Sequence, residues 1–163
     1  MKLKFTYQNL LIFLIISSLF ALILAYIGQY FFDLNPCVLC LYQRKPFFVV
    51  IIVSSFFLLI KNFKKYLKLA SIITILLIIF NVFLAAYHVG VEKKIFVGPT
   101  TCSSSEIAPD NLDALKAMIE KAATVKCDEP AFVFASISMA GWNIIYCLFL
   151  VIISLYLFRK SKE

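Results

Sequence analysis

Long apolar runs separated by short polar segments are the main feature of the chain. A membrane hydrocarbon core of about 30 Å is crossed by about 20 helical residues. Suitable runs lie at about 10–32, 69–91 and 142–158, and a shorter one lies at about 46–60. The pattern therefore predicts an all-α membrane protein, a bundle of four transmembrane helices that forms a single domain over residues 1–163.

Two details of the apolar runs concern where the helices begin. Pro46 precedes the shorter run, and a proline in the first turn of a helix needs no intrahelical hydrogen bond. We therefore expect the second helix to begin at Pro46. The first run follows Lys2 and Lys4, but it is longer than the about 7–15 apolar residues of a signal peptide and no small-x-small cleavage site closes it, so we expect a retained anchor.

The composition indicates a lipid environment rather than water. Apolar residues make up 63% of the chain and charged residues 15%, and the mean hydropathy is +0.94. A soluble fold of this size does not bury so much apolar surface. The net charge of +7 does not indicate nucleic-acid binding, because the basic residues form short clusters between the apolar runs.

These basic clusters predict the orientation of the spans. One side of the predicted bundle holds nine basic residues against one acidic residue, and the other side holds seven against eight. The nine basic residues are Lys2, Lys4, Lys61, Lys64, Lys65, Lys68, Arg159, Lys160 and Lys162. Because basic residues collect on the cytoplasmic side, we expect both termini there. The loops at about 33–45 and 92–141 then face outward.

Four of the five cysteines fall in the predicted outer loops, where disulfides persist. Cys37 and Cys40 lie in the first loop, Cys102 and Cys127 lie in the second, and Cys147 lies inside the last span. The C-x-x-C pair fits half of a metal site, a structural disulfide or a redox dithiol. We expect no metal site, because only one histidine and no second C-x-x-C accompany the pair. A C-x-x-C disulfide closes almost no chain, which favours the redox dithiol over a structural bond.

The residues around the C-x-x-C pair favour reactivity. Arg44 follows Cys40 by four residues near the predicted start of a helix, and both a cation and a helix N-terminus favour a thiolate. The alternative for Arg44 is an anchor to lipid headgroups. His88 lies twenty residues after Lys68, so it reaches the outer membrane boundary, level with the dithiol. An arginine and a histidine at this depth could bind the carbonyl oxygens of a quinone. The alternative is that His88 is an interfacial histidine that binds no ligand.

The second outer loop is long and carries a helix pattern. The stretch DNLDALKAMIEKA places apolar residues on one helical face, and Asp110 at its start is a typical capping residue. It predicts a short amphipathic helix that packs on the loop or lies on the bilayer surface. Cys102 and Cys127 flank this helix, and a disulfide between them fits either a structural or an exchange role.

These residues resemble the disulfide bond formation protein B (DsbB) family, which reoxidises a periplasmic thioredoxin-like thiol oxidase and passes electrons to membrane quinone. The resemblance covers nearly the whole chain, with four spans in the same order and four motifs. The motifs are Pro36-Cys37-Val38-Leu39-Cys40 with Gln43 and Arg44, Tyr87-His88 with Gly90 and Glu92, the separated Cys102 and Cys127, and Ala140-Gly141-Trp142-Asn143.

The resemblance implies roles on the membrane side of the protein. Cys37 and Cys40 resemble the membrane-proximal pair, in which Cys40 is the thiolate that reacts with quinone. Arg44 resembles the cation of the quinone site, and His88 resembles a neighbour of the quinone ring. The implied activity is that of a thiol:quinone oxidoreductase of the bacterial inner membrane, which uses ubiquinone or menaquinone as the electron acceptor.

The resemblance also implies roles on the periplasmic side. Cys102 resembles the sulfur that forms a mixed disulfide with a DsbA-like partner, and Cys127 resembles its mate. The redox loops are then periplasmic and serve disulfide formation in folding proteins. Cys147 has no counterpart in this scheme, and we expect it to be a packing residue within an apolar helix.

The alternatives are three other kinds of protein. An enzyme of the vitamin K epoxide reductase type is also a four-helix bundle with two cysteine pairs, but its redox C-x-x-C lies on a late helix. A tetraspan scaffold with structural loop disulfides would show no dependence on quinone. A metal-binding or transport protein is disfavoured, because the interiors of the predicted spans lack acidic residues and histidine.

Overall fold

A computed structural model describes residues 6–60, 65–99 and 127–161. The described chain contains four long helices and one short hairpin. Their bounds are α1 (Tyr7–Phe31), α2 (Val38–Leu59), α3 (Leu67–Glu92), β1 (Val133–Phe134), β2 (Ile137–Ser138) and α4 (Met139–Lys160). All four helices are long and apolar enough to cross a membrane, which confirms the predicted fold class.

Side-chain caps fix the starts of three helices. The hydroxyl of Thr6 accepts a hydrogen bond from the backbone N–H of Asn9 at the start of α1, and Ser138 caps α4 in the same way. The residue that caps α2 is Cys37, whose sulfur accepts from the backbone N–H of Cys40 at 3.3 Å. A side chain that satisfies a first-turn N–H stabilises the helix terminus.

The start of α2 differs from the prediction. The helix begins at Val38, and Pro46 lies inside it rather than in its first turn. The prediction was wrong because it followed the apolar run, whereas the polar residues before Pro46 are also helical. Gln43 is buried and Arg44 is half-buried against neighbouring helices, so their polarity reflects an internal site and not a loop.

The helices pack as a four-membered bundle. In this bundle α2 packs against α1 and α3, α3 packs against α4, and α1 and α4 pack less closely on each other. Its central apolar cluster is formed by Leu10, Leu14, Leu22, Phe47, Val50, Ile75, Ile78, Cys147 and Leu150. In lipid, close packing and interhelical hydrogen bonds hold helices together. An example is the 2.8 Å bond that the Tyr146 hydroxyl of α4 donates to the backbone carbonyl of Ser17 in α1.

The outer face of every helix is apolar. Ile16, Ile52, Phe83 and Ile152 lie on the four helices in turn, and each is 62–69% exposed. Exposed apolar faces of this extent mark a surface that lipid covers. The chain is therefore a multi-pass membrane protein, in agreement with the predicted lipid environment.

A two-stranded hairpin leads into α4, and the sequence pattern did not predict it. Val133 pairs with Ser138 and Phe134 pairs with Ile137 in an antiparallel register. The two turn residues between the strands, Ala135 and Ser136, have positive φ angles of 51° and 64°, as expected for a two-residue hairpin turn. The predicted amphipathic helix at about 110–122 lies outside the described residues.

Candidate functional site

The C-x-x-C pair lies at the N-terminus of α2. Cys37 is the N-cap residue, and Cys40 lies in the first turn of the helix. This spacing brings the two sulfurs to 3.0 Å, where the Cys37 thiol donates a hydrogen bond to the sulfur of Cys40. The two thiols are therefore placed for disulfide formation without rearrangement of the backbone.

The two sulfurs differ in their surroundings. Cys37 is 4% exposed, whereas Cys40 is half-buried. The hydrogen bond to Cys40 and the burial of its own sulfur raise the pKa of Cys37 to about 12, although a hydrogen bond from His88 acts in the opposite direction. At neutral pH the reduced Cys37 therefore keeps its proton and shares it with Cys40.

Cys127 lies beside this pair. Its side chain is buried in an apolar cluster with Cys37, Leu39 and Val91, and the cluster also contacts Cys40. Residue 127 is thereby placed at the end of the bundle that carries the C-x-x-C pair. The other cysteine predicted in this loop, Cys102, lies outside the described residues. Among the described residues, three of the four predicted redox cysteines lie together.

His88 reaches the dithiol from the last turns of α3. Its side chain is 3% exposed, and its Nε2 lies 3.4 Å from the sulfur of Cys37. The same nitrogen lies 3.8 Å from a carboxylate oxygen of Glu92, one helical turn further along α3. The structure thus brings the predicted ring neighbour into direct contact with the C-x-x-C pair.

Two amide side chains continue this contact into the bundle. The Gln43 amide nitrogen lies 2.8 Å from the Nδ1 of His88, and the Gln43 amide oxygen accepts a 2.7 Å hydrogen bond from the amide of Asn143. These contacts join α3, α2 and α4. Among buried polar groups such a fully paired set is strongly favoured over an unpaired one.

Arg44 lies on the other side of the site, toward α1. Its guanidinium donates to the amide oxygen of Gln29 at 2.7 Å and to the backbone carbonyl of Ala25 at 3.3 Å. It also lies 5.0 Å from the ring centroid of Tyr26, within the range of a cation–π contact. The next residue, Lys45, is exposed and contacts the ring of Tyr42 instead. Of the two cations, Lys45 therefore has the position expected of an interfacial anchor, whereas Arg44 is held within the protein.

A cavity of about 340 Å³ joins these residues. Cys40, Arg44 and His88 line its polar part, next to Gln43 and Asn143. Its apolar walls are Phe20, Leu22 and Leu24 of α1, Phe47 of α2 and Trp142 and Tyr146 of α4. An apolar cavity with a few convergent polar groups is the usual form of a site for a small organic molecule.

The clustered sulfurs and imidazole also bear on metal binding. The ligand atoms of Cys37, Cys40 and His88 lie within 4.8 Å of one another. Such a set could act as part of a site for a soft cation. The sequence placed His88 level with the dithiol, but the contact of its ring with Cys37 required the structure.

Some polar residues of the site were not selected as site residues from the sequence alone. They are Gln29, Gln43, Glu92 and Asn143. The available signal was their position, because polar side chains within or beside an apolar span usually face the protein interior.

Cys147 contacts the amides of Asn81 and Asn143, at 3.6 and 3.5 Å. It is fully buried and belongs to the central apolar cluster, away from the other described cysteines.

Comparison with known proteins agrees with this arrangement. A family model described as "Disulfide bond formation protein DsbB" matches residues 7–157. The chain belongs to the DsbB family. A protein of Rickettsia prowazekii (strain Madrid E), named only as uncharacterized, is 35% identical to it over 164 residues, which cover 98% of this chain and 94% of the relative. No solved structure matches the chain.

Membership of the DsbB family defines the general role of the site. The chain is a multi-pass membrane protein of disulfide-bond formation, and its activity is that of an oxidoreductase. The sequence-based resemblance to this family is therefore confirmed. In this context the closely spaced sulfurs of Cys37 and Cys40 are suited to repeated formation and cleavage of a disulfide.

Proposed function

We propose that the protein is a thiol:quinone oxidoreductase that reoxidises a periplasmic, thioredoxin-like dithiol oxidase and passes the electrons to membrane quinone. The observation that carries the proposal is a single cavity lined by Cys40, Arg44 and His88. A thiol that gives electrons, a cation and an imidazole thus face one apolar space within the membrane bundle.

The cavity fits the head group of a quinone. A quinone ring is flat and apolar and has two carbonyl oxygens that accept hydrogen bonds. The aromatic and aliphatic walls suit the ring, and the guanidinium of Arg44 can donate to one carbonyl oxygen because Gln29 and Ala25 occupy only part of its five N–H groups. Residues of α1 and α4 line the cavity, and these two helices pack less closely on each other. This arrangement suits a lipid-soluble ligand that enters from the bilayer.

The reaction at this cavity is the oxidation of a dithiol. A bound quinone accepts two electrons and two protons and leaves as the hydroquinone. The S–H bonds of Cys37 and Cys40 are lost, one S–S bond forms between them, and both thiol protons end on the quinone oxygens. Both cysteines line the cavity, and the more buried Cys37 also contacts His88 and Cys127, so we assign Cys40 as the sulfur that reacts with quinone.

Disulfide exchange supplies the electrons. In the proposed sequence a partner thiolate attacks Cys102 of a Cys102–Cys127 disulfide, and Cys127 leaves as a thiolate. Cys127 then attacks Cys37 of the second disulfide and releases Cys40 as a thiolate. The partner's second thiolate then attacks the mixed disulfide, which completes the partner's disulfide and frees Cys102 as a thiolate. Attack of Cys102 on Cys127 re-forms the Cys102–Cys127 disulfide and releases Cys37 as a thiolate. The burial of Cys127 against Cys37 supports this order, because the attacking and accepting sulfurs lie in one cluster.

We propose that the protein lies in the bacterial inner membrane with both termini in the cytoplasm. The basic clusters at the helix ends opposite the C-x-x-C pair favour this orientation. The Cys37–Cys40 end then faces the periplasm, where a DsbA-like partner is available. Electron transfer to quinone keeps the thiols of this compartment oxidised. Ubiquinone and menaquinone are both acceptors of suitable chemistry.

A single-turnover experiment tests this proposal. Purified protein with both redox pairs reduced is mixed anaerobically with a short-chain quinone, and the redox state of Cys37 and Cys40 is read by alkylation and mass spectrometry. We expect stoichiometric disulfide formation with loss of quinone absorbance. A dithiol that stays reduced while the protein is folded would favour the tetraspan scaffold with structural disulfides.

A further inference from the structure

The two ring nitrogens of His88 face opposite kinds of hydrogen-bond partner. Nδ1 faces the amide nitrogen of Gln43, which can only donate. Nε2 faces the sulfur of Cys37 at 3.4 Å and a carboxylate oxygen of Glu92 at 3.8 Å, which can both accept. The partners are satisfied together when Nδ1 is the acceptor and Nε2 carries the hydrogen.

The orientation of the Gln43 amide is itself fixed by a neighbour. Its oxygen accepts a 2.7 Å hydrogen bond from the amide nitrogen of Asn143, so its nitrogen must point to His88. The oxygen of Asn143 in turn accepts a hydrogen bond from the thiol of Cys147 at 3.5 Å. Three donors thus point in one direction along the chain Asn143, Gln43, His88 and end at Cys37.

We infer that Gln43 and Asn143 are positioning residues that hold His88 as the Nε2–H tautomer, so that it donates a hydrogen bond to the Cys37 thiolate. The inference rests on the proposed function and deepens it. Cys37 is a thiolate at two points of that function: when it is released by exchange with Cys127, and when its S–H bond is lost as the Cys37–Cys40 disulfide re-forms.

The chemistry of these two steps requires a donor at Cys37. A thiolate is stabilised by an N–H that points at it, and such charge-assisted bonds are stronger than neutral ones. The other tautomer would direct the Nε2 lone pair at the sulfur and disfavour the thiolate. No proton is transferred to His88 in this account, because the imidazole keeps its Nε2–H throughout.

Burial makes the Gln43 amide difficult to replace. Gln43 is 7% exposed and His88 is 3% exposed, so little water reaches Nδ1 when the amide is removed. A buried ring nitrogen without a donor then favours a different tautomer or ring position. The effect on Cys37 would be indirect, which is why a direct readout of the tautomer is needed.

The chain contains one histidine, and this makes the tautomer measurable. We would label the imidazole with ¹⁵N and record its two nitrogen signals in detergent-solubilised full-length protein. The wild type is expected to show one tautomer, with hydrogen on Nε2. Gln43→Met keeps the side-chain length but removes the donor, and it is expected to give mixed or reversed tautomers. Asn143→Leu is expected to change the signals in the same direction but less.

A second measurement reports the consequence at sulfur. In a Cys40→Ala background, the alkylation rate of Cys37 is followed by peptide mass spectrometry at fixed pH. Loss of one hydrogen bond to a charged sulfur is expected to slow this reaction about tenfold in Gln43→Met. Thr74→Val is the matched control, because it removes a buried hydroxyl of α3 whose hydrogen bonds go to backbone carbonyls of the same helix, outside this chain of contacts.

The outcomes separate this inference from the proposed function. A wild-type ring with hydrogen on Nδ1, an unchanged tautomer in Gln43→Met, or an unchanged Cys37 alkylation rate in that variant would each overturn the inference. An equal effect of Thr74→Val would overturn it too, since the cause would then be general loosening of the bundle. Neither measurement uses quinone, so a failure of quinone reduction would count against the proposed function alone.

Discussion

The Nε2 atom of His88 lies 3.4 Å from the sulfur of Cys37, although 51 positions separate the two residues. The contact joins the last turns of α3 to the N-cap of α2. It places an imidazole against the sulfur that, in the proposed function, must accept electrons from Cys127 and re-form the disulfide with Cys40.

Replacement of either C-x-x-C sulfur is expected to stop quinone reduction. Cys40→Ser removes one of the two sulfurs that line the cavity, the one assigned to react with quinone, and Cys37→Ser removes its disulfide partner. Quinone absorbance is followed with a small dithiol as the electron donor, and Cys147→Ser is the matched control because Cys147 lies in the central apolar cluster. Normal quinone turnover by Cys40→Ser would contradict the assignment of Cys40.

Removal of Cys102 is expected to separate the two halves of the reaction. Cys102→Ser should not accept electrons from a reduced thioredoxin-like oxidase, because the disulfide that the partner attacks is absent. We expect small dithiols to reduce the Cys37–Cys40 disulfide without the partner, so quinone reduction with these donors should continue. The comparison is made by rate with each donor, and full activity with the protein donor would show that the partner attacks another sulfur.

Arg44→Ala is expected to weaken quinone binding. The guanidinium provides the cationic donor of the cavity, and loss of a charge-assisted hydrogen bond should raise the quinone KM about tenfold. The change in kcat should be smaller. Lys45→Ala is the matched control, since its exposed side chain contacts Tyr42 and does not line the cavity. Equal KM values for wild type and Arg44→Ala would remove Arg44 from the quinone site.

The raised pKa of Cys37 predicts its pH dependence. The value of about 12, against an ordinary 9.0, means that the native state favours the thiol. The stability gained in this way is present below pH 9 and is lost as the pH rises from about 9 to about 12. Alkylation of Cys37 in the reduced native protein should therefore be slow at pH 8.

Removal of the Cys40 thiol should lower the raised pKa of Cys37. The hydrogen bond to Cys40 is the largest contribution to the raised pKa, so Cys40→Ala should accelerate Cys37 alkylation at pH 8 by about tenfold or more. Peptide mass spectrometry gives the rate at this one cysteine. A slower or unchanged reaction in Cys40→Ala would show that burial, rather than the hydrogen bond, controls Cys37.

The sequence predicted the membrane fold because lipid imposes a simple requirement. A helix must supply about 20 apolar residues to cross the hydrocarbon core, and this is visible without knowledge of tertiary contacts. The start of α2 was missed for the opposite reason. Gln43 and Arg44 form hydrogen bonds with residues on other helices, and the sequence alone does not show those partners.

The sequence predicted how deep the site residues lie in the membrane, but not which side of each helix carries them. Counting helical rise from Lys68 placed His88 level with the dithiol, since rise per residue is constant. The side of α3 that carries His88, and the contacts to Gln43 and Asn143, depend on how the helices rotate and pack. Glu92 was visible in the family motif, but its approach to the Nε2 atom of His88 required the structure.

The most direct test of the account is steady-state quinone reduction by the purified, detergent-solubilised protein, with a reduced thioredoxin-like oxidase as the electron donor. Quinone absorbance is followed for the wild type and for Cys40→Ser, with ubiquinone and with menaquinone. The account predicts turnover with at least one quinone and its loss in Cys40→Ser. No turnover with either quinone from a folded wild-type preparation, or equal turnover in Cys40→Ser, would contradict it.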